Sequence, residues 1–263
     1  MNRTTALRLL NVVALVAVLA TNFAATALPL NGRDTGAISD SYPVLFTPAG
    51  YVFAIWGVIY LLLIGFVAYQ LRPAPVDVDR LGRINGFFVL GAVANIAWLF
   101  CWHYDKLLLS EVFMLTLLGS LIGIYRRLGI GQTVHFGAGR WLVDLPFSVY
   151  LGWISVATIA NTAILLYSLG WNGAPFGPDA WTIVMLGVAA VLGLVMARRR
   201  HDAAFVLVLA WAFFGIGAAR AAVYETLSSV AMLGAWILLG AAVWAGLRAY
   251  RDTVTARVAA RSS

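Results

Sequence analysis

The chain has 263 residues, 62% hydrophobic and only 11% charged, with a formal charge of +7. Soluble domains run at about 45–50% apolar and about 25% charged, so composition alone excludes a water-soluble globular class. A single cysteine, Cys101, excludes an intramolecular disulfide and a cysteine metal cluster, and it reads as a small buried apolar residue.

A hydrocarbon core of about 30 Å needs about 20 consecutive apolar residues per helix. Eight runs qualify, at 7–28, 47–70, 84–103, 107–126, 142–169, 180–197, 203–221 and 226–247. Runs this apolar are helices, because lipid offers no partner to an open strand edge. The expected fold is an all-α polytopic membrane bundle of about eight transmembrane helices. The first run has the basic start of a signal peptide, but its apolar stretch from Leu9 to Leu30 is longer than a signal core, which favours a retained span. The loop between runs one and two, Pro29 to Phe46, is long enough to fold over a pocket mouth. The loop Gly170–Asp179 (GWNGAPFGPD) is the strongest punctuation in the chain and separates five helices from three. Residues 1–170 and 171–263 are the expected units.

Basic residues alternate with the spans. Fifteen of the eighteen lie at the N-terminus, in the loops after spans two, four and six, or in the C-terminal tail; Arg33, Lys106 and Arg220 lie on the other side. That is the positive-inside pattern, with both termini cytoplasmic in a bacterial-type inner membrane. The positive charge is therefore a topology signal, and nucleic acid is not an expected partner.

Several chemistries drop out. The only lysine, Lys106, sits in an outer turn, which excludes a Schiff-base pigment within the bundle. His103, His135 and His201 lie at span ends or in loops and cannot form a facing pair of haem ligands. No nucleophile triad, metal-ligand spacing or phosphate loop is present, so no catalytic or metal residue is assigned. Glu111, about one turn inside span four, is the strongest intramembrane acid.

Helical spacing puts positions i, i+3 and i+7 on one face. Phe53, Trp56 and Tyr60 share a stripe in span two; Asn95, Trp98 and Trp102 in span three; Tyr150, Trp153, Ala157 and Asn161 in span five. Interfacial anchoring and helix gluing are the plainer reading of any one stripe. Three matching stripes, with Trp56, Trp153 and Asn161 well inside their spans, point instead to an aromatic pocket with a few polar fixings.

These residues carry a family resemblance. Pro48 followed by Trp56-Gly57 and Tyr60, then Asn95-x-x-Trp98, then Tyr150-Leu151-x-Trp153-x-x-x-Ala157-Thr158-x-x-Asn161 occur in order. Residues 1 to about 170 thus resemble the TspO/MBR family, the tryptophan-rich sensory proteins that include the translocator protein. Thr47 and Gly50 stand where that family usually has proline and tryptophan. The resemblance implies a five-helix bundle, usually dimeric, that binds porphyrins and other flat hydrophobic ligands. It also implies that Trp56 and Trp153 correspond to the tryptophans linked to porphyrin chemistry, and Ala157 to the small residue that shapes ligand affinity.

The expected site is Trp56, Trp98 and Trp153 as walls, Asn95 and Asn161 as polar fixings, Tyr60 and Tyr150 as hydroxyl contacts, and Ala157 as the residue that leaves room. No cofactor is required, and a porphyrin or haem is the candidate ligand, to be sensed, sequestered or transported. The alternatives are a transporter of small apolar solutes and a porphyrin-modifying enzyme. The three C-terminal spans carry no motif of their own.

Overall fold

A computed structural model describes residues 3–28, 30–72, 78–133, 135 and 137–262. Pro29, the expected start of the outer loop, lies outside them. Among the described residues the chain is helical with no strand: α1 (Arg3–Ala27), α2 (Thr35–Asp40), α3 (Ile55–Gln70), α4 (Val78–Gly82), α5 (Asn85–His103), α6 (Leu107–Leu128), α7 (Leu145–Ser168), α8 (Pro178–Arg200), α9 (Ala203–Arg220) and α10 (Glu225–Ser262). Eight of these, all but α2 and α4, are long and apolar enough to cross a membrane. They coincide with the eight expected spans to within a few residues, apart from the last.

The departures have local causes. Span two enters through a 3-10 turn, Gly50–Ala54, and becomes α-helical only at Ile55. Pro48 just upstream has no N–H to give a helix. Span five enters through one wide π-helical turn, Arg140–Asp144. The last helix does not stop near residue 247 but continues to Ser262, because residues 248–262 contain neither proline nor glycine.

Helix α5 packs on α1 and α6, α6 on α7, and α3 on α1 and α7. Helix α9 packs on α7, α8 and α10, so buried side chains run as one core from the first five spans into the last three. The close approach of α7 and α9 depends on Gly152, where a Cβ would stand 3.0 Å from the Phe205 carbonyl oxygen. The first span is held as a bundle member by buried Asn11. Its amide donates to Gln70 Oε1 at 3.0 Å and to Asn85 Oδ1 at 2.7 Å, tying α1 to α3 and α5.

The end rich in arginine is knitted by ions. Arg80 donates to the Leu128 carbonyl at the end of α6 and pairs with Asp144, which also meets His135 Nδ1 at 2.9 Å. Asp202 caps α9 by accepting from the Phe205 N–H at 3.1 Å, and it also accepts from the Tyr125 and Ser148 hydroxyls at 2.8 and 2.7 Å. Burial pushes the Asp202 carboxyl above its ordinary range, and these three donors only partly offset that. A raised folded-state pKa favours the protonated form, so this contribution to stability is full below the ordinary carboxylate range and is lost as pH rises through the folded value. Thermal melts of parent and Asp202→Asn should therefore diverge with pH. The parent loses stability relative to the variant as pH rises above the ordinary carboxylate range. A constant difference between the two melting curves would mean that folding leaves the carboxyl's pKa unshifted.

Candidate functional site

The three stripes meet. From α3, the Trp56 ring stacks on Tyr60 at 5.6 Å between centroids and on Trp98 of α5 at 6.2 Å and 30°. The same ring stands edge-on to Tyr150 and Trp153 of α7, at 5.9 and 6.2 Å. Trp98 continues the stack to Trp102 at 5.9 Å, and Phe53 meets Trp153 edge-on at 5.8 Å. Each such pair contributes about 0.5–1.5 kcal/mol beyond the area it buries. Five rings from three helices, with two more alongside, thus form one cluster.

Buried amides fix the rotation of these helices. Asn95 accepts from Asn22 of α1 at 3.0 Å and donates to the Tyr150 hydroxyl at 3.2 Å. Asn161 accepts the Trp98 indole N–H at 3.0 Å and donates to Glu111 Oε2 of α6 at 2.6 Å. The other Glu111 oxygen accepts from the Thr162 hydroxyl at 2.7 Å. Glu111, only 8% exposed, is thus bonded to an amide and a hydroxyl, with no cation partner among the described residues.

Between the rings lies a gap of about 40 Å³, lined by Phe53, Trp56, Trp98, Trp102, Trp153, Ala157 and Asn161 together with Pro48, Met114 and the α2 residues Thr35 and Ser39. Tyr60, Asn95 and Tyr150 lie behind this lining, as ring and hydrogen-bond neighbours of the residues that form it. The sequence expectation of open space for a flat guest needs correction. The stacked and edge-on tryptophans fill it, and the remaining gap is far below the roughly 300–1,000 Å³ of a small-molecule pocket. Two polar groups in the cluster are buried without a hydrogen-bond partner among the described residues, the Trp153 indole N–H and the Tyr60 hydroxyl.

The loop expected to fold over the mouth does so, and it is latched. Trp102 Nε1 donates to the Thr35 carbonyl at 3.2 Å, and Asn31 donates to the His103 carbonyl at 2.9 Å. His103 is fully buried. Its Nδ1 lies 3.1 Å from the Leu30 carbonyl, which can only accept, so Nδ1 carries the proton and Nε2 accepts from the Thr35 hydroxyl at 3.2 Å. Asp105 adds an ion pair to Arg33 and accepts from Tyr42 at 3.2 Å. His103 therefore holds the lid and does not line the gap.

A family model described as TSPO-like protein matches residues 8–244. The chain belongs to that family. No curated protein and no solved structure matches it. The family match extends past α7 through α8, α9 and most of α10, so all eight spans of this TSPO-like chain lie at least partly inside it.

Sequence reasoning missed the second clamp on the site, which comes from α9. Arg220 donates to the Thr47 carbonyl and hydroxyl at 3.1 and 3.0 Å, the Ala49 N–H donates to the Gly215 carbonyl at 3.1 Å, and Trp211 donates to the Val52 carbonyl at 3.2 Å. These bonds grip residues 47–52, which carry Pro48 of the lining and lead directly into Phe53. Two signals were present, the isolated Arg220 and Gly215, but spacing alone gives neither a partner. A Cβ at Gly215 would stand 2.1 Å from Val52 Cγ2 and 3.2 Å from Pro48 Cβ. Gly215→Ala should accordingly cost about 1–3 kcal/mol by overpacking. The loss should be largely restored in Gly215→Ala/Val52→Ala, as read by thermal unfolding of the purified protein. Equal destabilisation in the single and double variants would show that the Val52 contact is not what the glycine serves.

Proposed function

We propose that this TSPO-like membrane protein binds a flat, mostly apolar molecule, a porphyrin or similar tetrapyrrole, between α3, α5 and α7, and that binding parts the aromatic cluster. The observation that carries the reading is the Trp153 N–H, buried without an acceptor on a residue that lines the gap. An orphaned donor in an apolar interior costs about 1–3 kcal/mol. A planar guest bearing carbonyl or carboxylate oxygens would supply the missing acceptor. It would also replace ring-on-ring contact between Trp56 and Trp98 with ring-on-guest contact, so parting the stack forfeits little aromatic attraction.

Opening requires the gripped segment 47–52 to shift, and α9 would register that shift. The reading is therefore of a binder that senses or passes on its guest, with the three C-terminal helices as the reporting element. The guest moves the equilibrium only by its preference for the open form. The arginine-rich end faces the cytoplasm in this reading.

Titration with protoporphyrin, followed by tryptophan emission, tests it. Saturable quenching is expected in the parent. Trp153→Phe keeps a ring but removes the N–H, and it should weaken binding by about tenfold, while the melting temperature holds or rises. Absence of saturation in the parent overturns the reading.

A second reading, a carrier for small apolar solutes, is favoured by Glu111, an acid buried within a span beside Asn161. Uptake into proteoliposomes that Glu111→Gln abolishes, with porphyrin quenching intact, would establish carriage. No uptake by the parent would remove it.

A further inference from the structure

A cavity far larger than the aromatic gap lies elsewhere in the molecule. It is a cleft of about 570 Å³ at the arginine-rich end, between the turn that opens α7, the α8–α9 junction and the inner part of α10. Two guanidinium groups line it from different elements. Arg140 makes one bond, to the Thr253 hydroxyl at 3.2 Å, and lies over the Trp141 ring at 5.8 Å. Arg200 makes one long bond, to the Ile130 carbonyl at 3.4 Å, and lies over the Tyr125 ring at 5.8 Å. Among the described residues neither has a carboxylate partner. The three carboxylates in the cleft are already engaged: Asp144 by Arg80 and His135, Asp202 by its three donors, and Asp252 by His201 at 3.0 Å.

Each guanidinium offers five N–H donors in a fixed fork that suits phosphate oxygens, and among the described residues each spends one here. Arg198, Arg199, Arg248 and Arg251 add positive charge on α8 and α10, close in sequence to residues of the lining. A bare phosphate would leave most of the cleft empty. One part of the wall is apolar, formed by Leu145, Ala203, Ala204 and Leu207, and at its edge Trp141 and Leu207 are 60% and 46% exposed. We propose that this cleft is a binding site for a phosphate group carried on an apolar body, with Arg140 and Arg200 holding the phosphate and the α9 face receiving the body. An anionic phospholipid drawn from the adjacent leaflet is the favoured source, because the cleft sits at the end of the bundle where headgroups lie.

The test uses the full chain purified in neutral detergent. The probes are short-chain phosphatidylglycerol, diacylglycerol of the same chain length, and inorganic phosphate, with thermal midpoint and native mass spectrometry as readouts. Phosphatidylglycerol should stabilise saturably and be retained in the gas phase, while diacylglycerol should do neither. Arg140→Gln and Arg200→Gln should each weaken the response by about tenfold. Ala204→Phe, which leaves every charge in place and obstructs the cleft, should weaken it as well. It carries the test if an arginine variant fails to fold. Stabilisation by inorganic phosphate with the same sensitivity to the variants would keep the site and assign it to a soluble phosphate. Equal responses to phosphatidylglycerol and diacylglycerol, or a parental response in all three variants, would overturn the proposal.

Discussion

Inside hydrocarbon a polar side chain has no water to turn to, and that constraint organises this molecule. Asn95 and Asn161 would each be costly if left alone in lipid. Each instead joins three helices: Asn95 links α1, α5 and α7, and Asn161 links α5, α6 and α7. Because Asn95 and Trp98 share a stripe, as do Tyr150, Trp153 and Asn161, satisfying the amides turns the indoles inward. The aromatic cluster follows from hydrogen bonding as much as from ring attraction. Glu111 extends the same chain of bonds, its two oxygens accepting from neighbours on α7.

Two further clamps act on the cluster from the end opposite the arginine-rich one. The α2 loop is held through His103 and Asp105, and the entry to α3 is held through α9. Neither is a matter of apolar bulk. Each is a set of directional bonds to backbone carbonyls and short side chains, so each fixes position more than it contributes burial. The α9 clamp shows that the C-terminal helices reach the cluster physically, through residues 47–52, although they contribute no ring to it.

What the sequence made legible was whatever depends on local spacing. Apolar run length located the eight spans, and the i, i+3, i+7 stripes picked out residues that come together in space. Long-range pairing was not legible. Nothing in one sequence pairs Glu111 with Thr162 or Arg220 with Thr47, since those contacts depend on how helices are rotated and stacked. The volume of the gap was equally hidden. A stripe of tryptophans reads the same whether the rings surround a space or occupy it, and here they leave only a slit. The length of α10 was hidden for a simpler reason: an apolar run marks a span, whereas arginine and alanine continue the helix beyond it.

The latched loop has a consequence for traffic. With the mouth covered by α2, one side of the cluster opens at the half-exposed run Ala157–Ala160 on α7, whose Ala157 and Ala160 border the slit. Anything that reaches the rings by that window arrives sideways, out of the acyl chains. Its effective dose is then its mole fraction among the lipids, and apparent affinity scales with how much membrane competes for it.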